Sequence, residues 1–231
     1  MYKYVKRFLD ITVSLIGLIL LMPIFIILAI WIKLESAGPI LFRAKRVGKN
    51  EKEFTMYKFR TMKVDSPLLP PNKLKDPYKY ITKAGKILRE SSLDELPQLF
   101  NILKGDMSFV GPRPGSAVNE EELRQYRRNN EVFSALPGVT GWAQVNGRDE
   151  LAHNAKEKSN FDKYYVENIS LKLDAICILR TLHVLRTKEG YLEGSMSDAS
   201  CKNQGQQNIQ RITMKKRINR KIKKDTEKAT V

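Results

Sequence analysis

Two adjacent acids, Asp94 and Glu95, stand in the stretch RESSLDELPQLFNILKGDMSFVGPRP (89–114), the densest concentration of chemically capable side chains in the chain. Ser92 and Glu95 have capping-box spacing, which predicts that both acids lie in the first turn of a helix over 94–104 that Gly105 ends. A helix N-terminus favours anions, so both carboxylates would stay ionised and a neighbouring phosphate would be stabilised. Taken alone, two acids in that position are accounted for by capping. What widens the reading is a set of cations in rigid Pro and Gly surroundings: Lys58, Arg60, Arg89, Arg113 in a Pro-Arg-Pro turn, and Arg148 at the end of GWAQVNGR. Arginine forks match phosphate oxygens bidentately, so these groups around two carboxylates suggest a site for a polyphosphate and a divalent cation. Magnesium suits it, since Mg²⁺ needs only one or two carboxylates beside substrate phosphates.

Other chemistries have less to stand on. Neither a Walker A sequence nor a G-x-G-x-x-G fingerprint is present, which disfavours P-loop and Rossmann nucleotide binding. Cys177 and Cys201 lie far apart and outside ligand spacing of either histidine, so a structural zinc site is disfavoured. His153 and His183 are isolated, and neither is assigned a role.

The elements that must hold these groups follow from pattern. ILFRAKRV and EFTMYKFRTM, joined through Gly48-Lys49-Asn50-Glu51, predict a β-hairpin carrying Lys58 and Arg60. A proline-dense loop (66–77) follows, and helical pattern resumes near Thr82. Further helices are predicted at about 117–129, 149–167 and 171–188, with Gly138 and Gly190 as additional stops. In the last helix Leu173, Ile176, Leu179, Leu182 and Leu185 form the expected apolar stripe, facing either the protein core or a membrane interface.

The N-terminal run ITVSLIGLILLMPIFIILAIWI (11–32) is 22 residues without a charge. One helix of that length measures about 33 Å, enough to span a bilayer core. It lacks a small-residue cleavage site, so a removed signal peptide fits poorly. Pro23 near its middle predicts a kink. Lys3, Lys6 and Arg7 precede the run, and Lys33, Arg43, Lys45 and Arg46 follow it, so the positive-inside rule assigns no orientation. A helix that bends at Pro23 and re-enters would leave both basic flanks on one face. A kinked spanning helix is the equal alternative. Lys6 and Arg7 are candidates for a lipid headgroup or for ordinary solvation.

The chain of 231 residues carries 41 Lys+Arg against 25 Asp+Glu, a net charge of +16, with 13 Gly, 10 Pro and two Cys. These values exclude a collagen-like, wholly disordered or disulfide-stapled chain and a multi-span transporter. Half of the excess lies in Lys202–Val231, with ten Lys/Arg and two Asp/Glu. The polar stretch before it predicts a flexible basic tail over 194–231. That tail motivates a competing reading, a non-enzymatic membrane adaptor binding anionic lipid. Nucleic acid is the weaker partner, because the tail has no aromatic side chain to stack on bases.

KFRTM (58–62), SLDELPQLFNILKGDMSFVGPRP (92–114), PGVTGWAQVNGR (137–148) and SLKLDAICILRT (170–181) are long strings in a shared order. With the N-terminal run they make residues 1–190 resemble the bacterial sugar transferase family, the small monotopic phosphoglycosyl transferases. The resemblance implies a mostly helical α+β fold with a re-entrant, Pro-kinked membrane helix over 1–36, a small hairpin, amphipathic interfacial helices and a cytosolic catalytic domain over 37–193. It also implies transfer of a sugar-1-phosphate from a UDP-sugar to polyprenyl phosphate, with release of UMP, at the cytoplasmic face of the bacterial inner membrane. Downstream glycosyltransferases would then extend the surface glycan. By the same resemblance Asp94 is the nucleophile that forms a phosphoglycosyl-aspartate, Glu95 is its partner, Mg²⁺ is bound there, and Pro23 is the bending proline. The chain departs from the family at Met22, where members often carry a serine. The transferred sugar has no signature in these residues.

Overall fold

The apolar run is part of one long helix, α1 (Tyr2–Glu35), in the computed structural model of the protein, which describes residues 2–67, 79–118, 120–147 and 154–187. At 1.5 Å per residue α1 is about 50 Å long. It runs as a single helix past Pro23. Among the described residues it is the one helix long and apolar enough to cross a membrane. Arg148, His153, Gly190, Cys201, most of the proline-dense loop and the basic tail over 194–231 lie outside the described residues.

The expected hairpin is present as β1 (Leu41–Val47) and β2 (Glu53–Phe59), antiparallel, with Leu41 opposite Phe59 and Val47 opposite Glu53. Asn50 and Glu51 take positive φ in its turn, a conformation that Asn tolerates better than most residues. Helix α2 (Lys83–Glu90) starts where the sequence suggests, with the Thr82 side chain accepting a hydrogen bond from the Gly85 amide. After a short turn comes α3 (Gln98–Lys104), stopped at Gly105, whose φ of 97° suits glycine. Then follow β3 (Ser108–Val110), β4 (Gly115–Ser116), α4 (Glu121–Asn129), β5 (Gly138–Thr140), α5 (Trp142–Gly147), α6 (Ala155–Glu167) and α7 (Leu171–Thr187).

Two small sheets result. β4 adds to the hairpin in the order β2-β1-β4, while β3 and β5 pair in parallel. The β3–β5 pair corrects the expected role of Gly138, which opens a strand instead of stopping a helix. A Cβ on Gly138 would lie 2.1 Å from the Gly111 amide nitrogen, so the two chain segments meet only because both positions are glycine. Helix α5 was not legible as a helix either, since its Trp and Gly ends give no capping signal.

α1 is fastened to the rest of the molecule near both ends, while most of its apolar side chains between Ile11 and Ile30 are exposed. Near its start, Tyr2 and Lys6 both donate to the buried Asp174 of α7. Asp10 accepts from the Phe109 amide in β3. Phe25 meets Phe59 and Phe100, and Leu28 and Ile32 form a core with Phe59 and Leu88. At its end the Glu35 carboxylate accepts from the Lys83 and Ala84 amides, capping α2.

The apolar stripe expected on α7 divides. Leu173 and Cys177 are buried with Val110 and Tyr165, whereas Leu179 and Leu182 are exposed together with Leu171 and Ile178. The reason is geometric: a strict three-residue spacing falls short of the 3.6-residue turn, and from 173 to 182 it drifts about 180° around the helix.

Candidate active site

Asp94 and Glu95 sit on a single 3-10 turn, Leu93–Glu95, between α2 and α3. This corrects the capping-box expectation. Ser92 has φ of 58°, in the left-handed region, and its side chain caps nothing; the Glu95 amide bonds instead to the Ser92 carbonyl at 3.2 Å. α2 ends at Glu90 and the chain reverses at Ser92, so α3 begins only after Pro97. Proline is well suited there because a first-turn amide would go unbonded anyway. Leu93 and Leu96, on either side of the acids, pack on the core of Leu28, Ile32, Phe59 and Leu88. The alternation in Leu-Asp-Glu-Leu thus fastens the turn by its leucines and leaves its acids for the site.

Cations from two other elements reach the turn. Lys58 Nζ, from β2, lies 2.6 Å from Glu95 Oε1 and 3.7 Å from Asp94 Oδ2. Arg113, in the loop between β3 and β4, donates to the same Glu95 oxygen at 2.7 Å. Arg89, at the end of α2, donates to the Thr61 hydroxyl and acts electrostatically on Asp94. Of the expected phosphate ligands, then, Lys58, Arg89 and Arg113 gather at the acids. Arg60 does not: its guanidinium donates to the Ala37 and Ser36 carbonyls and is buried there, holding the chain that leaves α1. Lys58 and Arg60 are two apart and would share a strand face, but β2 ends at Phe59 and Arg60 follows a new direction.

Lys6 and Arg7, the expected lipid-headgroup cations, are engaged inside the protein. Lys6 pairs with Asp174, and Arg7 donates to the Ile102 and Leu103 carbonyls at the end of α3. A cation at a helix C-terminus complements its unpaired carbonyls. The polar side chains that fasten α1 (Asp10, Glu35, Asp174) went unnoticed in the sequence, because each is an isolated acid whose partner is a distant backbone amide or α1 itself.

The two carboxylates differ in protonation chemistry. Burial pushes the Asp94 carboxyl above its ordinary value; Lys58 opposes the shift and Glu95 adds to it. Burial would raise Glu95 as well, but Arg113 and Lys58 beside it hold it well below the usual carboxylate range. Neighbouring groups whose environments drive their pKa values apart are a mark of divided roles. Glu95 is the fixed anion that orders two cations. Asp94, whose ion contact with Lys58 is the longer one, is the carboxylate less engaged.

This donor set fits a magnesium ion shared with a phosphate substrate. Its oxygens are hard, adjacent and anionic, and Mg²⁺ uses one or two carboxylates in such sites. A closed cage of protein ligands is not its form, since no group of three or more His, Cys, Asp or Glu is gathered among the described residues.

Comparison with known proteins gives the arrangement a context. The family model described as "Bacterial sugar transferase" matches residues 1–188. An Aeromonas hydrophila protein named UDP-N-acetylgalactosamine-undecaprenyl-phosphate N-acetylgalactosaminephosphotransferase is 38% identical over 194 residues, 82% of this chain and 45% of that protein. The Escherichia coli (strain K12) UDP-glucose:undecaprenyl-phosphate glucose-1-phosphate transferase is 36% identical, over 78% of this chain and 40% of its own length. The Bacillus subtilis (strain 168) sugar transferase EpsL is 38% identical, over 80% of this chain and 89% of its own length. The chain thus spans less than half the length of the first two and most of the third.

Proposed function

The chain belongs to the bacterial sugar transferase family, and from that membership we propose that it transfers a sugar-1-phosphate from a UDP-sugar to undecaprenyl phosphate, releasing UMP. The observation that carries the reading is the acidic turn itself: one ionised, doubly bridged carboxylate beside one carboxylate raised by burial, with Lys58 and Arg113 at hydrogen-bond distance.

In the first step an Asp94 oxygen attacks the phosphorus that bears the sugar. A P–O bond to Asp94 forms as the bond to the UMP oxygen breaks, and the electron pair leaves with UMP. In the second step a phosphate oxygen of the lipid attacks the same phosphorus and Asp94 departs as a carboxylate. An acyl phosphate stays reactive, which divides one difficult transfer into two easier ones. Lys58 and Arg113, ordered by Glu95, stabilise charge building on the phosphoryl oxygens. Asp94 and Glu95 would hold Mg²⁺, which when bound neutralises charge on the diphosphate.

We further propose that both ends of α1 lie on the cytoplasmic face of the inner membrane. Lys6 and Asp10 at one end and Glu35 at the other all bond to the same folded unit, which a helix crossing the bilayer would hold apart. A bend at Pro23 in the lipid, with re-entry, is compatible with those contacts, and exposed Leu179 and Leu182 on α7 and Phe100 on α3 would meet the interface.

Purified full-length protein in lipid particles, given a panel of UDP-sugars, undecaprenyl phosphate and Mg²⁺, is expected to release UMP with at least one sugar. Asp94→Asn should lower that release by about a thousandfold or more, the scale lost with a covalent nucleophile. Undiminished release would remove Asp94 from the chemistry.

A further inference from the structure

The segment KFRTM supplies more than its two cations. Lys58 reaches Glu95, Phe59 enters the core and Arg60 holds the Ser36 and Ala37 carbonyls, so three consecutive residues each bind a different part of the chain. The fourth, Thr61, is 7% exposed, and its hydroxyl accepts a hydrogen bond from Arg89 Nε at 2.9 Å. Its backbone is held as well. The Thr61 carbonyl accepts from the Thr82 amide, Met62 bridges Ile81, and the Lys63 amide donates to the Tyr80 carbonyl, a short antiparallel contact that leads into α2. Gly85 in the first turn of α2 lies directly against this contact: a Cβ there would be 2.0 Å from the Thr61 carbonyl oxygen. Gly85 and Arg89 are four residues apart and share one face of α2. The bare backbone at Gly85 thus lets Thr61 approach the helix, and the hydroxyl meets the arginine one turn further on.

Arg89 stands close to the acids along the chain. Its carbonyl accepts from the Ser92 amide, and the Ser92 carbonyl accepts from the Glu95 amide, so two backbone hydrogen bonds lead from the arginine to the acidic turn. Its charge acts on Asp94. A fixed backbone still leaves a long side chain about 2 kcal/mol of rotamer freedom. A bond at Nε sets the plane of the guanidinium and hence the direction of its two terminal amino groups, the fork that matches phosphate oxygens. Threonine suits this task, because its branched Cβ restricts χ1 and aims the hydroxyl in one direction. We propose that Thr61 is a positioning residue for the transfer: it holds the Arg89 guanidinium toward the acidic turn, where the arginine binds the diphosphate of the sugar nucleotide. Thr61 acts only through Arg89. The assignment deepens the transferase reading and rests on it for the identity of the ligand.

The test uses full-length protein in lipid particles with Mg²⁺: wild type, Thr61→Val, Thr61→Ser, Arg89→Met and the double variant Thr61→Val with Arg89→Met. UDP is titrated into each, UMP release is followed with the UDP-sugar and the lipid phosphate varied in turn, and each protein is melted. Valine keeps the shape of threonine and deletes the hydroxyl. Thr61→Val should therefore bind UDP about tenfold more weakly and raise KM for the UDP-sugar by a similar factor, with KM for the lipid phosphate unchanged. Arg89→Met should lose at least as much, and Thr61→Ser should recover most of the loss. The double variant should bind UDP no more weakly than Arg89→Met alone. UDP binding by Thr61→Val at the wild-type level, losses that add in the double variant, or a serine that restores nothing would each overturn the role of Thr61. So would a rise in KM for both substrates together with a lower melting temperature, the mark of a residue that only supports the fold. A wild type that binds no UDP overturns it too. A wild type that binds UDP with the expected pattern but releases UMP from no UDP-sugar instead sinks the transferase reading and leaves Thr61 holding an arginine that binds diphosphate.

Discussion

Asp94 and Glu95 are chemically alike and one residue apart, yet their surroundings give them opposite dependence on pH. Asp94 has a folded-state pKa above its unfolded value, so the stability linked to it is present below the unfolded pKa and is lost as pH rises through the raised one. At neutral pH its charge works against folding, and Asp94→Asn should melt at the same temperature or higher while UMP release is lost. For Glu95 the sign reverses: its pKa is depressed, so its contribution is present above the unfolded value and is lost as pH falls through the folded one. Glu95→Gln leaves Lys58 and Arg113 without their shared anion and should cost about 1–3 kcal/mol, read as a lower melting temperature. The rate profile follows Asp94 alone. Release of UMP should fall on acidification with a midpoint above the ordinary aspartate value of about 3.9, and a midpoint at or below that value would contradict a buried nucleophile.

At the scale of elements, what could be read from sequence depended on how local the cause was. The β1–β2 hairpin, the helix start near Thr82 and the Gly105 stop each arise from a few neighbouring residues, and each was legible. Ser92 in the left-handed region was not, because it is set by where α2 and α3 dock and not by the Ser-x-x-Glu spacing. The gathering of Lys58, Arg89 and Arg113 at the two acids matches the expected cluster, since each lies on or beside an element whose position the local pattern gave. The internal role of Arg60 was hidden, because only the end of β2 and the path out of α1 reveal it. The α4–α6 contact offers a check on the packing. Arg127 and Asp162 are 3% and 1% exposed, and removing one charge strands the other in the interior. Asp162→Leu should cost about 3–5 kcal/mol, and Arg127→Met with Asp162→Leu together should cost markedly less than the sum of the two single changes.

At the scale of the whole molecule, charge and hydropathy divide along the chain. Lys202–Val231, which lies beyond the span matched by the family model, carries half of the +16 excess, so truncation after Gly190 should leave UMP release within about twofold of full length. Loss of all release on truncation would favour the membrane-adaptor reading of the tail. Topology can be tested in cells: single cysteines near residues 3 and 45 should both be shielded from a membrane-impermeant thiol reagent added outside. Labelling at residue 3 alone would establish a spanning helix.

The Glu35 carboxylate on the α2 amides, with Lys6 and Tyr2 on Asp174, makes α1 something other than a detachable tether. Cutting away residues 1–36 would uncover Phe59 and Leu88, strip the cap from the helix that leads into Ser92, and leave Asp174 as a buried charge held, among the described side chains, by the Tyr165 hydroxyl. A water-soluble version of this catalytic unit therefore cannot be made by trimming. It would have to keep α1 and replace only the outward-facing side chains, such as Ile19, Leu20, Ile27 and Ile30, with polar ones.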